Sequence, residues 1–209
     1  MLGAPKEPHH SNDFAGLSLP VRLSPQFRTL FTGTFDAGKT TIAELLSDQT
    51  DIHVVREVAR DLLAADPTLE SHPDLQAKII AEQTRREAIA EQSLKPIIIL
   101  DRSFLDVICY SRYFGHPIDE RALIKQLNYD KVLLFSPSDI EVSSTLSVDM
   151  QNYRTSIHEM FLCVLEELAI PYEVICGDIQ RRLCRIHDIL VLAKTAIAAP
   201  SSGHESPGC

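Results

Sequence analysis

Residues 33 to 40 run Gly-Thr-Phe-Asp-Ala-Gly-Lys-Thr. They satisfy the spacing G-x-x-x-x-G-K-[ST], in which a glycine-containing turn is followed at once by an amine and a hydroxyl. Gly33 and Gly38 let the backbone curl without side-chain clash. Successive N–H groups of Gly33, Phe35, Asp36, Ala37, Gly38, Lys39, Thr40 and Thr41 can then converge on an anion. Lys39 is placed to reach the outer phosphates of a bound polyphosphate, and the Thr40 hydroxyl to ligate a divalent cation. The chemistry implied is phosphate binding through a P-loop, with ATP or GTP as the nucleotide and Mg²⁺ as the cation.

Further candidates follow apolar runs. Asp101 ends the run Pro96-Ile97-Ile98-Ile99-Leu100, where a carboxylate either holds Mg²⁺ or caps the next helix. Arg102 either reaches a transferring phosphoryl group or forms a surface ion pair. Glu57 follows another short apolar run, with Arg60 three residues on; either Glu57 accepts a hydroxyl proton and Arg60 contacts substrate or phosphate, or the two form an exposed ion pair. Gln83, four and three residues after Ile79 and Ile80, faces inward, to read an acceptor or to bond a backbone carbonyl. Arg85, Arg86 and Glu87 are assigned to the solvated face of the same helix. Ser103 and Asp106 fit a helix-capping pair rather than chemistry.

These residues need a scaffold that brings strand ends together. Phe27–Thr32, Ile52–Val55, 96–100, Lys131–Phe135 and Tyr172–Ile175 read as strands. Helical periodicity is expected over the segment after the P-loop and over 58–63, 73–94, 103–114 and 119–126. It recurs in the stripe Tyr153, Ile157, Met160, Phe161, Val164 and Leu168, and after a cap at Asp178. Ser71 and Asp74 resemble a capping box for the third of these helices. Strands alternating with helices imply a five-stranded parallel α/β sheet flanked by helices, with ligands beyond the carboxyl ends of the strands. Residues 1–25 are expected to form a flexible leader, 26–197 the folded domain and 198–209 a disordered tail, on their Pro, Ser and Gly content.

The chain has 209 residues, 44% of them hydrophobic and 23% charged, which suits one globular domain. A net charge of −9 argues against nucleic acid as a partner. No apolar run approaches the ~18 residues of a membrane span. The five cysteines show no C-x-x-C or metal-like spacing; reduced thiols in the cytoplasm are expected, with Cys109 and Cys163 buried.

Five segments together resemble the NadR-like P-loop family, small nucleoside-kinase-type domains grouped with AAA-domain ATPases. They are TGTFDAGKTTIAELL, VVREVARDLL, AEQTRREA, LDRSFLDVICY and, more loosely, IPYEVICGDIQRRL, and they span about residues 28 to 195. The resemblance implies a nucleoside- or nucleotide-kinase-like P-loop fold, an ATP–Mg²⁺ site and transfer of the γ-phosphoryl group to a small hydroxyl acceptor. Nicotinamide riboside is the best-known acceptor in that family, which also includes nucleotide-dependent regulators. By match, Glu57 takes the acceptor-side carboxylate role, Asp101 the magnesium role and Arg102 the phosphate clamp. Such kinases close an arginine-bearing lid after the fourth strand, whereas residues 137–149 hold no Lys or Arg, and carry Asp139, Glu141 and Asp149. Arg154 is the nearest substitute. Two functions follow: a small-molecule kinase, or a nucleotide-dependent switch with weak turnover. The N-K-x-D element of guanine-selective GTPases does not occur.

Overall fold

The computed structural model describes residues 26–138 and 148–198. The expected leader, the expected tail beyond Ala198, and most of the Lys- and Arg-free segment lie outside the described residues.

Five strands form one parallel sheet: β1 (Phe27–Thr32), β2 (Ile52–Val55), β3 (Ile97–Asp101), β4 (Lys131–Phe135) and β5 (Tyr172–Ile175). Their order in space is β2-β3-β1-β4-β5, with every pairing parallel. Both faces are covered, which is why the central strands read as unbroken apolar runs. Side chains alternate between two cores. Leu30, Ile98, Leu100, Val132 and Leu134 face one of them. Phe31, Ile97, Ile99, Leu133 and Phe135 face the other.

Seven α-helices occur among the described residues. They are α1 (Lys39–Ser47), α2 (Val58–Ala65), α3 (Leu75–Glu91), α4 (Phe104–Phe114), α5 (Glu120–Ile124), α6 (Val148–Glu167) and α7 (Ile179–Ala198). Ile42, Ala43 and Leu46 of α1 and Ile186, Ile189 and Leu190 of α7 pack on the second core. The first core takes Ile79 and Ala90 of α3, Phe104, Leu105, Val107, Ile108 and Cys109 of α4, and Ile157, Phe161 and Val164 of α6.

β1 lies between β3 and β4, so the chain leaves it towards one side and later returns to the other. That reversal opens a crevice beyond the carboxyl ends of β1 and β3, the usual ligand position in such sheets. Asp178 caps α7 as expected, its Oδ1 accepting from the Arg181 N–H at 2.8 Å.

The expected helix over 73–94 is shorter. A separate 3₁₀ turn, Pro67–Ser71, comes first, because Asp66 Oδ1 accepts from the Thr68 N–H at 3.0 Å. Asp74 then stands at the N-cap of α3, without a side-chain cap bond, in place of the expected Ser71. Its own N–H is taken by His72 Nδ1 at 3.1 Å. At the other end Pro96 disfavours helical geometry in the residue before it, and Leu94 is fully exposed. Cys163 is exposed, not buried: the inward stripe of α6 runs through Ile157, Phe161, Val164 and Leu165 and leaves it on the far side. Cys109 is buried as expected, and none of the described cysteines is paired.

Candidate functional site

The loop between β1 and α1 turns on two left-handed glycines, Gly33 at φ 121° and Gly38 at φ 78°. A Cβ at Gly33 would stand 2.9 Å from the carbonyl oxygen of Phe135 on β4, so only glycine fits there. Asp36 also adopts positive φ, at 49°, which short polar side chains tolerate best. Lys39 is the first residue of α1 and is buried. Its ammonium donates to the carbonyls of Gly33 at 2.9 Å and Thr34 at 2.5 Å. Burial, helped by the charge of Arg102, draws its pKa down to about 7. An incoming anion would oppose that shift.

The Thr40 hydroxyl donates to Asp101 Oδ2 at 2.7 Å, joining α1 to the end of β3. The other carboxylate oxygen, Asp101 Oδ1, is buried and has no hydrogen-bond partner among the described residues. Burial pushes this carboxyl above its ordinary range, against the pull of the Thr40 bond and Lys39. Among the described residues no group of three or more His, Cys, Asp or Glu is arranged to hold a metal. One hydroxyl beside one carboxylate with an unused oxygen is nevertheless a donor set that fits Mg²⁺, which takes few protein ligands and completes its shell with phosphate oxygens and water.

A cavity of about 240 Å³ opens over these groups, lined by residues 35–41 with Glu44, Glu57, Arg60 and Arg102. Glu57, at the start of α2, lies 2.9 Å from Arg102 Nε and 3.3 Å from Arg60 Nη2. Arg60 is mostly exposed, so its pairing contributes little. Arg102 is the reverse case: its side chain is only 12% exposed, and its φ is 72°. Its Nη1 donates to the Gly33 carbonyl at 3.1 Å and to Asp106 Oδ1 at 3.0 Å, and its guanidinium lies over Tyr110, 5.1 Å from the ring centre. Burial opposes its charge, yet Tyr110, Glu57, Asp106 and Asp101 together hold its pKa above the ordinary value. Burial raises the Asp106 carboxyl to about 6 against the opposing pull of Arg102.

The residues described so far match a known sequence family. A family described as AAA domain covers residues 28–182, from β1 to the first turn of α7. The chain belongs to that family. No curated protein matches it by sequence. In fold this AAA-domain chain is similar to a NadR protein in complex with NR, at 18% identity and a TM-score of 0.65, over 81% of this chain and 52% of that one. It is similar to NadR in complex with NAD and AMP-PNP at 17% identity and a TM-score of 0.63, over 81% and 50%. A deoxyadenosine kinase from M. mycoides with products dCMP and dCDP bound gives 16% and 0.57, over 79% of this chain and all of the kinase. The chain thus spans about half the length of the NadR structures and the whole of the smaller kinase. The fold shared with these structures, a five-stranded parallel sheet flanked by helices, is the one its residues predict.

Not every candidate lines the AAA-domain cavity. Gln83 donates to the Arg102 carbonyl at 3.4 Å and to Glu87 Oε1 at 2.6 Å, the backbone-bonding alternative. Arg154 grips the loop between β1 and α1 instead of the cavity: Nη2 donates to the Asp36 carbonyl at 2.7 Å and Nε to the Phe35 carbonyl at 3.3 Å. Ser103 and Asp106 do cap α4, the Ser103 N–H donating to Asp106 Oδ2 at 3.1 Å. Asp101 does not cap that helix.

Glu87 is buried, not solvated. It accepts from Gln83, from the Ser103 hydroxyl and from the Arg28 guanidinium. Arg28 also donates to Glu91 at 2.7 Å, and its own N–H to Asp130 Oδ2 at 2.7 Å. The signal was available: Glu87 stands four residues after Gln83 and eight after Ile79, on the face of α3 already taken to point inward. The other overlooked residue, Arg182, is fully buried on α7; only a tertiary contact across the chain reveals it.

Proposed function

We propose that this chain is a phosphotransferase of the nucleoside-kinase type, moving the γ-phosphoryl group of ATP to the hydroxyl of a small nucleoside-like acceptor. One observation carries the reading: an amine, a hydroxyl–carboxylate pair with an unused buried oxygen, and a Glu–Arg pair meet around a single cavity. The two NadR structures, one bound to NR and one to NAD and AMP-PNP, and the deoxyadenosine kinase support it by their fold.

Magnesium, when bound, would neutralise charge on the phosphate oxygens, and Thr40 with Asp101 Oδ1 would hold it. The loop amides receive the phosphates, and Lys39 turns from the Gly33 and Thr34 carbonyls to the anion. Glu57 accepts the proton of the acceptor hydroxyl. For that, its carboxylate shifts away from Arg102, whose freed guanidinium faces the charge that develops on the phosphoryl oxygens. The cytoplasm is the proposed compartment, in keeping with the unpaired cysteines among the described residues. Among the described residues no helix is long and apolar enough to cross a membrane.

A nucleotide-dependent switch is the second reading. It draws on the engagement of Arg154 with the phosphate loop, which leaves the cavity lining without a lid arginine. Phosphorus NMR with ATP or GTP, Mg²⁺ and pooled nucleosides separates the two, with Lys39→Ala as control. A phosphomonoester signal that requires both acceptor and Lys39 supports the kinase. Retained nucleotide binding without any acceptor product supports the switch.

A further inference from the structure

The phosphate loop is gripped from behind by two arginines of the C-terminal half. The Phe35 and Asp36 carbonyls accept from Arg154 of α6, at 3.3 and 2.7 Å. The next carbonyl, that of Ala37, accepts from Arg182 Nη1 of α7 at 2.8 Å. The Gly38 carbonyl then begins the α1 ladder, bonded by the Ile42 N–H at 3.2 Å. Neither arginine lines the cavity, whose wall is formed by the same loop residues from the other side.

A peptide unit is planar and trans, so the carbonyl of one residue and the N–H of the next point in opposite directions. Holding the carbonyls of Phe35, Asp36 and Ala37 on guanidinium groups therefore turns the N–H groups of Asp36, Ala37 and Gly38 the opposite way. We infer that Arg154 and Arg182 are positioning residues that set the anion-binding orientation of the loop before nucleotide arrives. This rests on the proposed reading that the loop binds a nucleotide triphosphate.

Arg182 has the geometry for such a task. It is completely buried over the Phe135 ring. Besides Ala37 it bonds the carbonyls of Ser136, after β4, at 2.9 Å and Gly177, after β5, at 2.5 Å. One guanidinium thus ties the loop after β1 to the ends of two neighbouring strands. Its planar fork serves three acceptors in fixed directions, which a single ammonium on a flexible stem does not reproduce. Arg154 is also buried. Its guanidinium is spent on holding the loop.

The test compares wild type with Arg154→Lys, Arg154→Met and Arg182→Lys. In the nucleotide-free proteins, carbonyl ¹³C resonances of Phe35, Asp36 and Ala37 are recorded by NMR; magnesium–ATP affinity is then measured by calorimetry. The expected result is displaced or broadened resonances at the residues each arginine holds, and affinity lower by about tenfold. Unchanged ligand-free resonances overturn the inference, even where affinity falls, since that pattern means direct contact with phosphate. If the wild type binds no triphosphate, the proposed function fails, and the ligand-free resonances decide the inference by themselves. Should Arg182→Lys not fold, the two Arg154 variants carry the comparison.

Discussion

Replacing Glu87 by methionine tests whether the buried ionic cluster under the site is held by mutual compensation. Glu87 is buried and accepts from three donors: the Arg28 guanidinium, the Gln83 amide and the Ser103 hydroxyl. Removing one partner of a buried ion pair costs about 3–5 kcal/mol, because the other charge is left in a poor solvent. Arg28 keeps a second carboxylate, Glu91, at 2.7 Å, and that one is about half exposed. This places the expected cost of Glu87→Met near the lower end, about 3 kcal/mol. In a chain of this size that lowers the thermal midpoint by about 6–12 °C.

The informative arm is the double variant Arg28→Met/Glu87→Met. Two apolar side chains of similar volume in place of a buried pair are often neutral or better. The double variant should therefore recover most of the lost stability, giving a coupling energy of at least about 2 kcal/mol in a double-mutant cycle. Urea unfolding with unchanged m-values provides the numbers. Additive losses, or a single-variant cost below about 1 kcal/mol, would refute the claim that Arg28 depends on Glu87. Function should not recover with stability. Gln83 and Ser103, neighbours of the left-handed Arg102, lose their anchor in both variants, so phosphoryl transfer should stay depressed while folding is rescued.

Lys39→Ala removes the only ammonium lining the cavity among the described residues, and magnesium–ATP affinity should fall about 100-fold by calorimetry; an unchanged constant contradicts the phosphate site. Thr40→Val deletes the hydroxyl bonded to Asp101 at 2.7 Å, so the magnesium concentration needed for half-maximal nucleotide binding should rise several-fold, and an equal magnesium dependence argues against that pair as the cation's seat. For pH, Arg85 and Arg86 hold the Glu82 carboxylate down at about 2 in the folded chain, below its ordinary value of 4.5. That contribution is complete above about pH 4.5 and fades as pH falls towards 2, so Glu82→Gln should lower stability at pH 7 and bring no penalty near pH 2. Glu82 sits near the surface, which limits the effect to under about 1 kcal/mol; an equal difference at both pH values in urea titrations would count against the linkage.

The strands were readable because each is a short apolar or β-branched run between turn residues, and the positions of β1, β2, β4 and β5 agree with that reading to the residue. The turn between β1 and α1 was readable because its signal is local: Gly33, Gly38, Lys39 and Thr40 lie within eight residues. Helix ends were less so. Whether α3 starts at Pro73 or Leu75 depends on a His72–Asp74 bond that competes with the cap, and spacing does not rank such competitors. Charged residues inside the core were the main failure. Glu87 and Arg182 are chemically ordinary surface residues, buried here because partners far along the chain compensate them: Arg28 lies 59 positions from Glu87, and Ala37 lies 145 from Arg182. Such pairings belong to the tertiary fold alone.

The balance of charge around the cavity bears on the choice between kinase and switch. Its lining has three cationic side chains, Lys39, Arg60 and Arg102, and three carboxylates, Asp36, Glu44 and Glu57, with Asp101 just behind. Arg60 and Arg102 already face Glu57, and Arg102 also faces Asp106. A triphosphate entering this site meets amide dipoles and one ammonium rather than a surplus of positive charge. Under the proposed function its own cation would supply the rest, and binding would depend on magnesium more steeply than in a site rich in arginine. Under the proposed kinase, transfer would further require that Arg102 exchange a carboxylate for phosphoryl oxygens, and an acceptor hydroxyl engaging Glu57 would loosen that pair. Turnover without acceptor should accordingly be slow even when nucleotide is bound. Acceptor-dependent acceleration, rather than basal hydrolysis, is therefore the quantity that distinguishes the two functions.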